Sequence, residues 1–354
     1  MAFRGLIFFA LVILATNQGG ITIEASSSSS SLVTFIFGDS LTEVGNNNYL
    51  QYSLARSDYS WYGVDYAGGT ATGRFTNGRT IGDIISEKLG IPPPPPYLSL
   101  AKDDADSMVE GVNYASGGAG ILNDTGLYFI QRLSFDDQIN YFNHTKETIR
   151  SKLGDAVANK LLNDAMYFVG IGSNDYVNNY LQPFLADGQQ FSHDEFLELL
   201  ISTLDQQFLR LYQLGARKIA VHGLGPLGCI PSQRVKSKSG ECLKQVNEWV
   251  LQFNSRTDRL VVSLNNRLPG AKFVFADTYQ HVLDLITNPT AYGFKVANTS
   301  CCKVDTSVGG LCLPNSNLCS NRRDFVFWDA FHPSDAANQV LAQKFFATLF
   351  PDHS

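Results

Sequence analysis

Thr34-Phe-Ile-Phe-Gly-Asp-Ser40 is an unbroken apolar run that stops at a glycine, an acid and a serine. A short apolar run closed by a turn signal reads as a strand buried on both faces, the kind found inside a parallel sheet. The strand is expected over Val33–Phe37, so the turn sets the Ser40 hydroxyl at its carboxyl end. Four more runs have this character: Gly111–Tyr114, Met166–Ile171, Lys218–His222 and Lys272–Ala276. Amphipathic segments separate them. Ile81–Leu89 reads as a helix ended by Gly90 and the prolines that follow it. Ser192-His-Asp-Glu195 is a capping box opening a helix to Leu214, with Gly215 closing it. Further helices are predicted over Leu243–Leu268, before Pro269-Gly270, and over Asp335–Leu349, after Pro333. Strands alternating with helices predict an α/β fold, a parallel sheet between helical layers with reactive loops at the strands' carboxyl ends.

A serine hydroxyl is a weak nucleophile unless a base removes its proton. Far downstream, Trp328-Asp329-Ala-Phe-His332-Pro333 sets an acid three residues before a histidine. That spacing lets Asp329 reach one ring nitrogen of His332 and leaves the other free for a serine. Two loops between these ends supply another part. Gly111-Val-Asn113-Tyr-Ala-Ser116-Gly117-Gly118-Ala-Gly120 and Val169-Gly-Ile-Gly172-Ser-Asn174-Asp175 each follow an expected strand. Small residues let backbone N–H groups approach a ligand, and an asparagine amide adds a donor, so the two loops could form an oxyanion hole. Any one of these motifs alone is an ordinary turn; their order along the chain is what carries weight.

In that order the chain resembles the GDSL esterase/lipase family of the SGNH hydrolases, and most of all its secreted plant branch. The resemblance rests on Phe37-GDSLTEVGNNN-Tyr49, Gly73-RFTNGR-Thr80, GVNYASGGAGIL from Gly111 to Leu122, Gly170-IGSNDY-Tyr176, GLGPLGC-Ile-Pro231 and FVFWDAFHPS from Phe325 to Ser334. It implies a flavodoxin-like three-layer α/β/α fold with a five-stranded parallel sheet and carboxylic-ester substrates. It also implies a Ser40 nucleophile, a His332 base and an Asp329 partner. The oxyanion donors would be the Ser40 and Gly118 backbone N–H groups and the Asn174 amide, with Gly117 as the alternative if the loop is offset by one residue. Neither a cofactor nor a metal is expected. Glu43 stands where family members usually carry aspartate. Two other readings use the same residues: an acyltransferase on surface lipids or polyesters, and a catalytically silent secreted binding protein.

Two familiar motifs are set aside. Gly223-Leu-Gly225-Pro-Leu-Gly228 fits a dinucleotide-binding pattern, but Pro226 within it and Cys229 and Pro231 after it leave no helix to receive a pyrophosphate. The G-x-S-x-G elbow is missing, because Thr42 follows Ser40 where a glycine would stand. The remaining histidines (His144, His193, His222, His281 and His353) have no acid at comparable spacing within these motifs and are given no catalytic role. Asp39 and Asp175 flank key residues and are expected to serve as loop hydrogen-bonders.

The 354-residue chain carries a formal net charge of −6 with no basic cluster, which argues against nucleic-acid binding and against an electrostatic membrane anchor. Arg4 precedes an apolar stretch, Leu6 to Ala15, that is shorter than the about 20 residues a membrane span needs. Residues 1–25 are therefore read as a cleaved secretory signal, 26–32 as a serine-rich leader and 33–354 as a single hydrolase domain. No integral membrane segment is expected after signal removal, and the protein is placed outside the cell, in the apoplast or cell wall if it is from a plant. All six cysteines follow residue 228, which suits disulfides in a secreted chain. Cys229 and Cys242 are expected to pair around the loop carrying Arg234, Lys236 and Lys238. Cys301, Cys302, Cys312 and Cys319 would form two more bonds, whether 301 or 302 meets 312 being left open; their spacing is not that of a paired C-x-x-C zinc site. Asn123, Asn143 and Asn298 begin N-glycosylation acceptor triplets. The expected partner is a small or lipid-like ester; oligomeric state is not encoded legibly.

Overall fold

The computed structural model describes residues 32–306 and 309–350. The expected signal, most of the leader and His353 lie outside them. Thr34–Gly38 forms β1, buried along its whole length. The other expected runs form β2 (Gly111–Asn113), β3 (Met166–Gly170), β4 (Lys218–His222) and β5 (Lys272–Ala276). Every pairing is parallel, in the order β2-β1-β3-β4-β5. Strand order reverses between β1 and β3, which opens a crevice beyond their carboxyl ends.

The longer helices are α1 (Ile81–Leu89), α2 (Phe135–Leu153), α3 (Asp155–Asp164), α4 (His193–Leu214), α5 (Lys244–Arg267), α6 (Tyr279–Thr287) and α7 (Asp335–Leu349). Three of them, α2, α3 and α6, are additions to the sequence reading. For α2 the signal was present: Ser134 and Asp137 form a capping box, and Phe135, Ile139, Phe142 and Ile149 are buried along one face. The sheet is covered on both sides because alternate β1 residues point opposite ways. Phe35 and Phe37 meet the Phe142 ring of α2 at 5.2 and 5.7 Å. Ile36 faces Gly82 of α1 instead. On that second face Phe168 packs with Ile84, Ile85, Ala342 and Phe345 of α1 and α7. The result is the three-layer α/β arrangement expected from the sequence.

One buried side chain fixes where β1 ends. Gln138 of α2 accepts from the Gly38 N–H at 2.9 Å and donates back to the Gly38 carbonyl at 2.9 Å and to the Leu133 carbonyl at 3.0 Å. Buried backbone groups need partners, and here a helix side chain supplies them just before the Asp39-Ser40 turn.

A two-stranded parallel sheet, β6 (Val296–Ser300) with β7 (Phe325–Phe327), was not foreseen. It carries two disulfides. Cys301 joins Cys319 and Cys302 joins Cys312, while the backbone N–H groups of Cys301 and Cys302 donate to the Phe327 and Trp328 carbonyls at 3.0 and 2.9 Å. The third disulfide links Cys229 to Cys242. The glycine pattern at 223–228 leads only into a single turn at Leu227–Cys229, where the Gly228 N–H donates to Asn247 Oδ1 at 2.8 Å. Asn123, Asn143 and Asn298 are all exposed. Among the described residues no helix is long and apolar enough to cross a membrane.

Candidate active site

Ser40, at the tip of β1, and His332, in the loop between β7 and α7, meet at the crevice: Ser40 Oγ lies 2.8 Å from His332 Nε2. The other ring nitrogen, Nδ1, lies 2.8 Å from both carboxylate oxygens of Asp329. Asp329 is fully buried, and a buried carboxylate is costly unless its oxygens are satisfied. The loop itself supplies two donors, the backbone N–H groups of Phe331 and His332 at 2.9 and 2.8 Å. A further donor, missed in the sequence, comes from a stretch 267 positions away along the chain. The Tyr62 hydroxyl donates to Asp329 Oδ2 at 2.6 Å and accepts from the Cys312 N–H at 3.0 Å. Burial and the Asp329 charge push the Tyr62 hydroxyl well above the ordinary tyrosine range, so it stays a donor. Phe75 packs on the His332 ring at 5.1 Å between centroids. No pattern near Tyr62 could have announced this pairing, since only the fold brings the two stretches together.

Ser40, Gly118 and Asn174 line the same cleft. The Ser40 and Gly118 backbone N–H groups donate to nothing among the described residues. Asn174 Nδ2 gives one hydrogen to the Ala119 carbonyl at 2.8 Å and keeps a second. The Asn174 oxygen accepts from Asn178, which in turn accepts from the Tyr128 hydroxyl at 2.6 Å. This relay settles which way the Asn174 amide points. Gly118 has φ 84°, and a side chain there would run into Phe129, so the position is one for glycine. Gly117 is excluded as the alternative donor. Its N–H is taken by Glu43 Oε2, and Glu43 Oε1 accepts from the Asn47 N–H at 2.6 Å.

The asparagines after Ser40 do similar work. Asn46 donates to the Asn113 and Ala115 carbonyls at 2.9 Å each, and Asn47 to the Ala55 and Gly117 carbonyls at 2.7 and 3.0 Å. Asp39 folds its own loop by accepting the Leu41 N–H at 2.9 Å. Asp175 holds the stretch after Gly120, accepting from the Ile121 and Leu122 N–H groups and the Thr125 hydroxyl at 2.8, 3.0 and 2.7 Å. Burial raises both aspartates to about 6 and Glu43 to about 8. His222 lies apart from the cleft, half-buried beside Phe345 and pushed down to about 4 by desolvation. Among the described residues no group of three His, Cys, Asp or Glu side chains could hold a metal ion.

A nucleophile candidate at a strand tip, backed by an imidazole–carboxylate pair and facing free N–H donors, is the layout of a serine-dependent acyl hydrolase. The profile described as GDSL-like lipase/acylhydrolase matches residues 34–345, and the chain belongs to that family. A GDSL esterase/lipase of Arabidopsis thaliana is 73% identical over 93% of this chain and 92% of its own length. A second from the same plant is 43% identical over 95% of this chain and 90% of its own length. GDSL esterase/lipase 7 of Arabidopsis thaliana is also 43% identical, over 88% and 87% of the two chains. The chain is accordingly an enzyme of the carboxylic-ester hydrolase class.

Two outcomes follow from this geometry. Tyr62→Phe removes one donor from the buried Asp329 and leaves the ring in place. It should lower kcat by about tenfold, the effect of one hydrogen bond to a charged group, with KM little changed. Steady-state kinetics on an ester substrate check this, and a rise in KM with kcat intact would contradict a role through Asp329. The second concerns pH. Glu43 rises from 4.5 to about 8 on folding, so the folded state holds its proton more tightly than the unfolded state. That contribution is full in acid and is lost as pH climbs from about 4.5 towards 8. Glu43→Gln abolishes the titration, so the melting temperature of the variant minus that of the wild type should grow between pH 5 and pH 8. A difference that is flat with pH would refute the assignment.

Proposed function

We propose that this protein is a secreted serine esterase that hydrolyses carboxylic esters at Ser40. The supporting observation is the line of contacts Ser40 Oγ to His332 Nε2 at 2.8 Å and His332 Nδ1 to Asp329 at 2.8 Å. As Ser40 Oγ attacks the ester carbonyl, its proton passes to His332 Nε2. Asp329 holds the ring in the tautomer that leaves Nε2 free and stabilises the imidazolium that forms. The carbonyl oxygen becomes an anion facing the Ser40 and Gly118 N–H groups and the second amide hydrogen of Asn174. Those donors are fixed before substrate arrives, so little reorganisation is needed in the transition state. His332 then gives the proton to the departing alkoxide. Water, deprotonated by His332 in its turn, attacks the acyl-enzyme and releases the acid. Export is supported by three disulfides, which persist in oxidising compartments, and by the exposure of all three glycosylation asparagines. Residues 1–25 would direct it, with 33–354 as the mature hydrolase domain.

Ser40→Ala removes only a hydroxyl from a half-buried loop position. It should abolish ester turnover and labelling by a serine-directed fluorophosphonate while leaving the melting temperature within a degree or two. Persistent labelling at another serine with an undiminished rate would reject Ser40. Asn174→Ala should slow kcat by roughly 10²–10³ with a small change in KM, because the lost contact strengthens as charge develops. An effect confined to KM would make Asn174 a ground-state binder.

A further inference from the structure

Asn174 and Asn178 lie four residues apart, so their side chains share one face. The chain beyond Asp175 makes a single turn of π-helix, Tyr176–Tyr180, a rare geometry that recurs at functional sites. Asn178 Nδ2 donates to Asn174 Oδ1, and Asn178 Oδ1 accepts from the Tyr128 hydroxyl at 2.6 Å. Asn174 Nδ2 passes the sequence on to the Ala119 carbonyl at 2.8 Å. Phenol, two amides and a backbone carbonyl therefore form one chain of hydrogen bonds running in a single direction. Burial holds the Tyr128 hydroxyl above the ordinary tyrosine range, so its head stays a donor. Turned over, the Asn174 amide would set its oxygen against the Ala119 carbonyl and its NH₂ group against that of Asn178.

The turn that carries Tyr128 also touches Gly118. A side chain at Gly126, φ 74°, would strike the Gly118 carbonyl, and the Phe129 ring fills the space beside the Gly118 Cα. The turn ends at Ile130 with φ 68°, where a β-branched residue is an outlier. Such backbone persists only where its surroundings over-determine it. Here the Phe129 carbonyl accepts from the Leu54 and Gln131 N–H groups at 3.0 and 2.8 Å. We propose that Tyr128 and Asn178 are positioning residues for ester hydrolysis, acting through Asn174. The proposal rests on the serine-esterase reading given above. The relay fixes the Asn174 amide with its second hydrogen unspent. It also strengthens that hydrogen as a donor, because an amide whose oxygen accepts a hydrogen bond draws electron density away from its nitrogen. The gain is felt most when the substrate carbonyl oxygen becomes an anion, so it belongs to the transition state rather than to substrate binding.

The test measures kcat and KM for p-nitrophenyl butyrate on the mature glycosylated protein, with each relay variant made alone and together with Asn174→Ala. Asn178→Ala should lower kcat by roughly five- to tenfold and Tyr128→Phe by about threefold, with KM within about twofold of the wild type. Asn178→Asp keeps the shape but turns an acceptor towards Asn174 Oδ1, and it should slow kcat more than alanine does. Once Asn174→Ala has removed the end of the relay, none of the three should slow kcat further. A purely structural role would give the same loss in both backgrounds. Losses that multiply in the double variants, or a folded Asn178→Ala with wild-type kcat, overturn the relay and leave the esterase standing. If melting curves show that the Asn178 variants do not fold, Tyr128→Phe carries the comparison by the same criteria. An Asn174→Ala variant with unchanged kcat removes Asn174 from the oxyanion hole, and the relay with it.

Discussion

The Asp329 carboxylate is the point on which this architecture closes. It carries charge at full burial, and an unpaired ion in such a place costs several kcal/mol. Its donors are the Tyr62 hydroxyl, the His332 ring and two backbone N–H groups of its own loop. Tyr62 is in turn tied to Cys312, whose disulfide partner Cys302 donates to the Trp328 carbonyl. The small sheet and its disulfides therefore form a bracket around one carboxylate. Loosening any member costs satisfaction of the ion, and the imidazole orientation goes with it.

The other half of the crevice solves a different problem. The Ser40 and Gly118 N–H groups are without partners among the described residues, yet their loops are tightly held. They are held through their neighbours. The Thr42 and Glu43 N–H groups fold back on the Asp39 carbonyl at 3.2 and 3.1 Å, which shapes the Ser40 turn. Glu43 and Asn47 grip Gly117 from both its N–H and its carbonyl, and so fix the adjoining Gly118. An aspartate at position 43 would be one methylene shorter, so the glutamate found here is adapted to this grip. Such fixed dipoles are worth more in a dry cleft than in water.

The elements that could be read in the sequence are those whose information is local. The β1, β3 and β4 runs are continuous apolar stretches with glycine after them. The helices at Ile81–Leu89, His193–Leu214 and Asp335–Leu349 have the bounds their caps and glycines indicate. Ser40, His332 and Asp329 were legible because nucleophile and base chemistry demands particular residue types at strand ends. Tyr62, Gln138 and Glu43 were not, because each acts through a partner set by tertiary packing. Gln138 meets Gly38 across 100 positions of sequence and Tyr62 meets Asp329 across 267. The β6–β7 pairing was hidden for the same reason, since β6 is largely polar and β7 is only three residues long. Gly117 could not be told from Gly118 until Glu43 was seen to occupy its N–H.

Ser40 and His332 are separated by 292 positions of sequence. A ribosome releases the serine long before the histidine. Until the final loop has threaded back to the tip of the first strand, and the bridges around it have formed, Ser40 has no base beside it. Contacts of such long range also close slowly. The pairing of serine and imidazole is thus a late event of folding, reached once the small sheet and its bridges have closed around the loop.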